Sequence, residues 1–395
     1  MNKRGWKNKL INRFKCYKRG NRQGITILDD MMPSALSPWR SYEYSELCKA
    51  FPDTRILTDC TTFVNYCQGK NFDQNLEDLI SFYPNLDKKI KKLTFSSNLN
   101  SEITYMMFYN NVKTNFEVIN RNKNPFTFTL YPGGGFGFDD KLVDKNLKQY
   151  FSSNLFRGVI VNQNITKKYL IDKQLCDPSQ INLIPGVPLN LSTTDIINFE
   201  YNKDLNKTSI LFFANKYTSD GSDKGFDIFQ KIVLALIDKK EEFNFIVIGG
   251  FSKIDLIDSL LEKVIVFKGT LNEFEFESVL KETHILVSPN KPFILSKNAF
   301  DGFPLATCVT ASLYGNVNFM TDYFNESENL DLNHNQDFIK INCDVNEIVH
   351  KILELHNNKE LLKQIAENGR NKMLHLYSFE KQITPRIDHF KKILF

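Results

Sequence analysis

Short apolar runs that stop at acids, glycines or prolines alternate along this chain with polar and amphipathic segments, in two blocks separated by a polar stretch. In the first block the runs are GITILDD (24–30), DTRILTD (53–59), ITYMMFYN (103–110), PFTFTLYP (125–132), GVIVNQ (158–163) and INLIPGVP (181–188). In the second they are SILFFAN (209–215), FNFIVIGG (243–250), VIVFKG (264–269), HILVSPN (284–290) and NVNFMTD (316–322). Continuous apolar runs suit parallel strands covered on both faces. Helical candidates lie between them, among them SYEYSELCKAF (41–51) and GFDIFQKIVLALIDK (225–239), the latter with apolar residues three and four apart. Residues 60–100 are Asn- and Lys-rich and poorly periodic, and are read as helices and loops. The pattern predicts two doubly wound α/β domains. The expected boundaries are an amino-terminal arm at 1–23, a first domain at 24–190, a linker at 191–207, a second domain at 208–375 and a carboxyl-terminal helix at 376–395 that packs back toward the first domain. In such folds ligands bind at the carboxyl ends of the strands.

Charge is unevenly placed. Residues 1–23 carry five Lys and four Arg and no acid, while the chain's net charge is only +4, so the rest is about five charges negative. A body of that sign disfavours nucleic acid as a partner. The arm places Trp6, Leu10, Ile11, Phe14 and Tyr17 at helical spacing among lysines and arginines. It lacks the uninterrupted apolar core of a secretory signal. A basic amphipathic helix of this kind can lie in an anionic membrane interface; a solvated basic tail is the alternative. Together with seven Cys, an odd number without any CxxC pair, this predicts a cytoplasmic protein, peripheral at the inner face of a membrane.

The sharpest chemical feature follows the run SILFFAN. Lys216 precedes the loop TSDGSD, and Lys224-Gly225 opens the next helix. A helix amino terminus supplies N–H groups and a positive dipole end, and two lysines add full charge, so the segment suits a phosphate or diphosphate. Two solvated surface lysines are the alternative. The Walker pattern GxxxxGK[ST] is absent. A second feature is Asp301-Gly302-Phe303-Pro304, followed by a small-residue helix. There an acid and backbone N–H groups can meet a sugar or a phosphate, although DGFP is also an ordinary turn. In the first block, TLYPGGGFGF sets Gly133, Gly134 and Gly135 after a strand, with Phe138 where a Rossmann motif would need its third glycine. It is read as a loop bringing backbone close to a ligand, or as a tight turn. Arg40, after the first strand, could hold an anionic acceptor or donor phosphate, or pair with Glu43 on its own helix. Asp29 and Asp30 could orient an acceptor hydroxyl, or simply end a strand. All six His lie in the second half, at 284, 334, 350, 356, 375 and 389, and His284 reads as a core residue in an apolar strand.

From SILFFAN through Lys216, Lys224-Gly225, FIVIGG, VIVFKGTLNE, THILVSPN and DGFPLATCVTASLYGN to SFEKQITPRIDHFKKIL, the second half resembles the family-four (group 1) retaining glycosyltransferases. The first half is similar to a capsule- or surface-polysaccharide branch of the same enzymes, on SPWRSYE (37–43) and TLYPGGGFGF. The resemblance implies a GT-B fold, two Rossmann-like doubly wound parallel-sheet domains with a cleft between them. It implies a UDP- or GDP-sugar as donor substrate, a glycan or polyprenyl-linked acceptor, and retention without a metal or cofactor. It places Lys216 and Lys224 at the family's diphosphate-binding positions and Asp301 at the first carboxylate of its paired-glutamate motif, the three as catalytic residues. Gly225, Gly302, Phe303 and Pro304 join the lysines in donor binding. Thr310 stands where the second glutamate usually holds the ribose, a departure that replaces a charged bidentate acceptor by one hydroxyl. Arg40, Gly133, Gly134, Gly135, Gly269 and Asn290 are assigned to substrate binding. A non-catalytic GT-B partner in a glycan-assembly complex is the alternative that Thr310 raises.

Overall fold

The computed structural model describes residues 24–34, 37–65, 67, 69–94, 97, 99 and 101–394. The basic arm at 1–23 lies outside them. The chain forms two units: the described residues up to Leu189 together with those from Gln382 onward, and Asn190–Lys381.

The first unit holds a seven-stranded sheet, all of its pairings parallel. Its strands are β1 (Ile25–Asp29), β2 (Arg55–Thr58), β3 (Ile90–Lys92), β4 (Ile103–Met107), β5 (Phe126–Leu130), β6 (Phe156–Val161) and β7 (Ile181–Leu183), in the order β3-β2-β1-β4-β5-β6-β7. Every residue of β1, β4 and β5 is buried, which is why these runs read as continuous rather than alternating. Ile25, Ile27, Ile103 and Tyr105 pack one face of the sheet against Tyr44 and Leu47 of the helix Pro38–Ala50 and against Phe390 of the terminal helix Phe379–Leu394. Helix starts follow side-chain chemistry. Asp140 accepts hydrogen bonds from the Leu142 and Val143 N–H groups, and Asn71 with Gln74 forms a reciprocal capping box.

The second unit holds a six-stranded parallel sheet, ordered β10-β9-β8-β11-β12-β13. The strands are β8 (Thr208–Phe213), β9 (Phe243–Ile248), β10 (Ile265–Gly269), β11 (Ile285–Ser288), β12 (Val317–Thr321) and β13 (Ile339–Ile341). Its core joins Ile210, Phe212, Phe245 and Val287 to Phe226 and Phe229 of the helix Phe226–Ala235.

The eleven apolar runs each overlap one strand, with β6 and β8 beginning one or two residues before theirs. Two further strands, β3 and β13, are three-residue edges whose lysines face outward, and the sequence gives them no apolar run to announce them. The polar stretch before β8 contains a short helix, Thr194–Ile197, and Phe199 and Tyr201 lie against Gly315.

Candidate functional site

In the second sheet the chain leaves β8 toward β9 and β10 on one side, then crosses over to β11 on the other. The carboxyl ends of β8 and β11 are therefore the point where strand order reverses, and the loops there diverge to leave a crevice. The turn after β8 passes close to the turn after β11. A side chain at Gly225, where φ is +75°, would place its Cβ 2.1 Å from the Pro289 carbonyl oxygen. Only glycine fits that approach. It sets Lys224 beside Asn290.

Lys224 is buried, and its Nζ donates to Asp301 Oδ2 at 2.6 Å. The ammonium also lies 5.0 Å from the centre of the Tyr217 ring and 3.9 Å from Asp223 Oδ2. The amide of Asn290 donates to the same Asp301 oxygen at 2.8 Å, and Asn290 Oδ1 accepts from Ser288 Oγ at 3.0 Å. Asp223 Oδ1 accepts from Thr218 Oγ1 at 2.7 Å, while its other carboxylate oxygen is buried without a hydrogen-bond partner among the described residues. Asp301, Gly302 and Phe303 line a pocket with Ser288, Asn290 and Lys291. Pro304 and Leu305 lead into the helix Ala306–Leu313, and Leu305 and Cys308 at its amino-terminal turn line the same pocket. The lysine, the carboxylate and the amide assigned from sequence thus come together on one hydrogen-bonded corner.

Lys216 takes a different partner. Its Nζ donates to Asp255 Oδ1 at 2.5 Å. Burial would raise the Asp255 carboxyl, but the Lys216 hydrogen bond and the Ser252 N–H outweigh it and hold the group below its ordinary range. Thr310 turns its hydroxyl onto its own helix, donating to the Ala306 carbonyl at 3.0 Å. Gly269 ends the edge strand β10, with φ +72° and its carbonyl accepting from the Gly249 N–H at 2.9 Å. His284 is buried; its Nδ1 accepts from the Ser209 N–H at 3.0 Å and burial pushes its pKa down to about 4. Asp255 and Asp223 carry no motif in the sequence. Asp255 is 39 residues from Lys216, and only the adjacency of β8 and β9 unites them.

The first unit repeats the design at its own reversal, between β1 and β4. Arg40 does not pair with Glu43. Its Nη1 donates to Asp29 Oδ2 and to Asp30 Oδ1, both at 3.0 Å, and its buried Nε has no partner among the described residues. Asp29 Oδ1 accepts from the Met31 and Met32 N–H groups at 2.7 Å each. Asp30 also accepts from Thr62 Oγ1 at 2.6 Å and Asn111 Nδ2 at 3.2 Å. Burial would raise the Asp30 carboxyl; the Arg40 charge and these hydrogen bonds outweigh it and hold the group low. Gly133, Gly134 and Gly135 all have positive φ. A Cβ at Gly134 would meet the Phe108 ring and one at Gly135 the Asn110 side chain, so the loop must be glycine to lie on the start of the helix Tyr109–Asn122. The Arg40 guanidinium sits 5.4 Å from the Phe108 ring centre, which brings Arg40 and the glycine loop to the same corner. Glu43 instead belongs to a buried cluster with Tyr105, Tyr131 and Arg386.

No protein-family model matches the sequence, and no curated protein matches it. Solved structures do. A glycosyltransferase from Rickettsia africae ESF-5 superposes with a TM-score of 0.66 at 16% identity, over 95% of this chain and 99% of that one. Sucrose-phosphate synthase from Thermosynechococcus elongatus gives 0.63 at 12% identity, over 94% and 99%. Anabaena HepE, solved in complex with UDP and glucose, gives 0.63 at 14% identity, over 94% and 99%. At these identities the likeness shows the fold, which is GT-B: two Rossmann-like parallel-sheet domains.

Proposed function

We propose that this chain is a glycosyltransferase that moves a sugar from a nucleoside diphosphate, UDP or GDP, to a glycan or lipid-linked acceptor with retention, in surface-polysaccharide synthesis. The observation that carries this reading is the corner formed by Lys224, Asp301 and Asn290 at the strand reversal of the second sheet, beside two helix amino termini. The GT-B neighbours, one of them solved with UDP and glucose, support it.

In this reading the donor's diphosphate lies over Lys216, Lys224 and the start of the helix Ala306–Leu313, with Gly225 allowing close approach. Asp301, Gly302, Phe303 and Pro304 face the sugar, and Asp301 accepts hydrogen bonds from its hydroxyls. The bond from the anomeric carbon to the phosphate oxygen breaks, and the bond to the acceptor oxygen forms on the same face. The acceptor's proton passes to the departing phosphate. The charge that develops on that phosphate is stabilised by fixed cations and dipoles already in place, so no metal is called for. Arg40 and the loop Gly133–Gly135 serve the acceptor in the first unit.

The test is transfer from a panel of nucleotide sugars by wild type and Lys224→Ala. Loss of at least tenfold in the variant is expected; equal rates would remove Lys224 from the reaction. A non-catalytic GT-B partner is the second reading, favoured by one observation: Thr310 spends its hydroxyl on the Ala306 carbonyl and presents no carboxylate to a ribose. That reading predicts no transfer with any donor.

A further inference from the structure

We infer that Asp255 is a built-in competitor for the anion that Lys216 is placed to bind, and so sets how tightly this site holds a diphosphate; this rests on the function proposed above.

Three features fix Asp255 where it stands. Gly249 has φ +127°, and a Cβ there would fall 1.8 Å from the Ala214 carbonyl oxygen, so the chain leaving β9 runs hard against the chain leaving β8. Gly250 then passes Lys216 with its would-be Cβ 3.7 Å from the lysine's own. The turn Lys253–Asp255 that follows is pinned to the helix Phe226–Ala235 by Gln230, whose Nε2 donates to the Asp255 carbonyl at 3.2 Å and whose Oε1 accepts from the Ile257 N–H at 2.7 Å. The side chain is held as well: Asp255 Oδ2 accepts from the Ser252 N–H at 2.9 Å, leaving Oδ1 for Lys216. The carboxylate is nearly buried, with 7% of its side chain exposed, and does not swing away freely.

The same arrangement holds at Lys224, whose ammonium is met by Asp301. Both cations assigned to the diphosphate therefore face a carboxylate already. An incoming phosphate must share or displace those partners, and one of them, Asp301, is also assigned to the sugar. Asp255 has no such second role, so its effect is separable. It is a positioning residue that holds the lysine head and weakens its call on phosphate.

Asp255→Asn separates the two roles. The amide oxygen can still accept from the Ser252 N–H, but the group carries no charge to hold Lys216. The experiment is calorimetric titration of UDP, GDP and inorganic pyrophosphate into wild type, Asp255→Asn, Lys216→Met and the double variant, with thermal melting to confirm that each is folded. Partly exposed ion pairs are worth little, so the expected gain is about two- to fivefold in affinity for Asp255→Asn over wild type. In the Lys216→Met background the same change should give no gain, because no ammonium is left to release. Weaker or equal binding by folded Asp255→Asn, or the same gain without Lys216, overturns the inference while leaving the proposed function standing. Failure of all three probes to bind any variant overturns both.

Discussion

Single residues divide here into those that hold the fold and those that meet a ligand, and the buried charges show how to tell them apart. Arg386 is fully buried on the terminal helix; its Nε donates to Glu43 Oε2 at 3.2 Å and its Nη1 to the Gln382 carbonyl at 2.6 Å. Tyr105 and Tyr131 donate to the same carboxylate. Every partner lies within one unit and none is exposed, which marks a structural network. Removing either charged partner, Arg386 or Glu43, leaves the other as an uncompensated buried charge. Arg386→Met should therefore destabilise the first unit by about 3–5 kcal/mol, read from urea unfolding, and Glu43→Gln/Arg386→Met together should cost less than Arg386→Met alone. Lys224 differs: its partner Asp301 opens onto a pocket, so loss of the lysine should affect ligand more than stability.

The residues with chemistry were legible where local sequence dictates them. Three successive glycines after a strand, and Lys-Gly at a helix start, are positions that backbone geometry forces. Arg40 was legible as a residue near the end of β1 but not as the partner of Asp29 and Asp30. That pairing depends on how the helix Pro38–Ala50 lies across the strand. Asp255 and Asn111 acquire their roles only through strand adjacency, and nothing near them in sequence signals it; Asp223 meets Thr218 and Lys224 within its own loop.

Among the elements, the terminal helix Phe379–Leu394 is tied to the first sheet by a second device. His389 is buried between β5 and β7. Its Nδ1 accepts from Asn182 Nδ2 at 2.5 Å, so Nε2 carries the proton and donates to Thr127 Oγ1 at 2.8 Å, while Thr127 donates onward to the Gly158 carbonyl. Gly158 leaves room for the ring: a Cβ there would lie 3.1 Å from it. Burial, with a smaller push from Lys392, lowers the His389 pKa to about 4, and His284 in the second unit is lowered likewise. Between about pH 4 and the ordinary histidine value near 6.5, the unfolded chain binds protons that the folded one refuses. Stability is then complete above about pH 6.5 and falls with decreasing pH, by about 1.4 kcal/mol per unit for each group. His389→Asn should flatten the first unit's share of that slope, as measured by urea unfolding from pH 7.5 to 4.5. A slope unchanged in the variant would remove His389 as a contributor.

At the turn after β8, Gly225→Ala tests the close approach that builds the site. A methyl group meeting the Pro289 carbonyl at positive φ should cost about 1–3 kcal/mol and weaken ligand binding together with stability. Unchanged melting would mean that the two turns separate without cost. Elements rich in apolar residues could be read directly from the sequence. The edges β3 and β13 could not, because a three-residue strand with one buried position in β3 and two in β13 leaves almost no pattern.

For the whole molecule, the two parallel sheets follow from two blocks of apolar runs, the GT-B assignment from the resemblance and the solved structures, and the charge distribution adds a separate expectation. The arm at 1–23 concentrates nine basic residues on a chain whose remainder is acidic. Each basic residue near an anionic surface contributes about 1 kcal/mol, so removing residues 1–22 should reduce co-sedimentation with phosphatidylserine vesicles and leave reaction with a soluble acceptor intact. Binding that survives the deletion would place the contact elsewhere. The decisive question concerns the second unit: whether the Lys224 corner receives a nucleoside diphosphate. Thermal-shift titration of wild type and Lys224→Ala with UDP, GDP and their sugars answers it most directly, since a ligand that binds only the folded state raises the melting temperature. We expect at least one of these nucleotides to stabilise the wild type and to lose most of that effect in Lys224→Ala. No shift with any of them, or the same shift in both proteins, would contradict the assignment of a donor site to this corner.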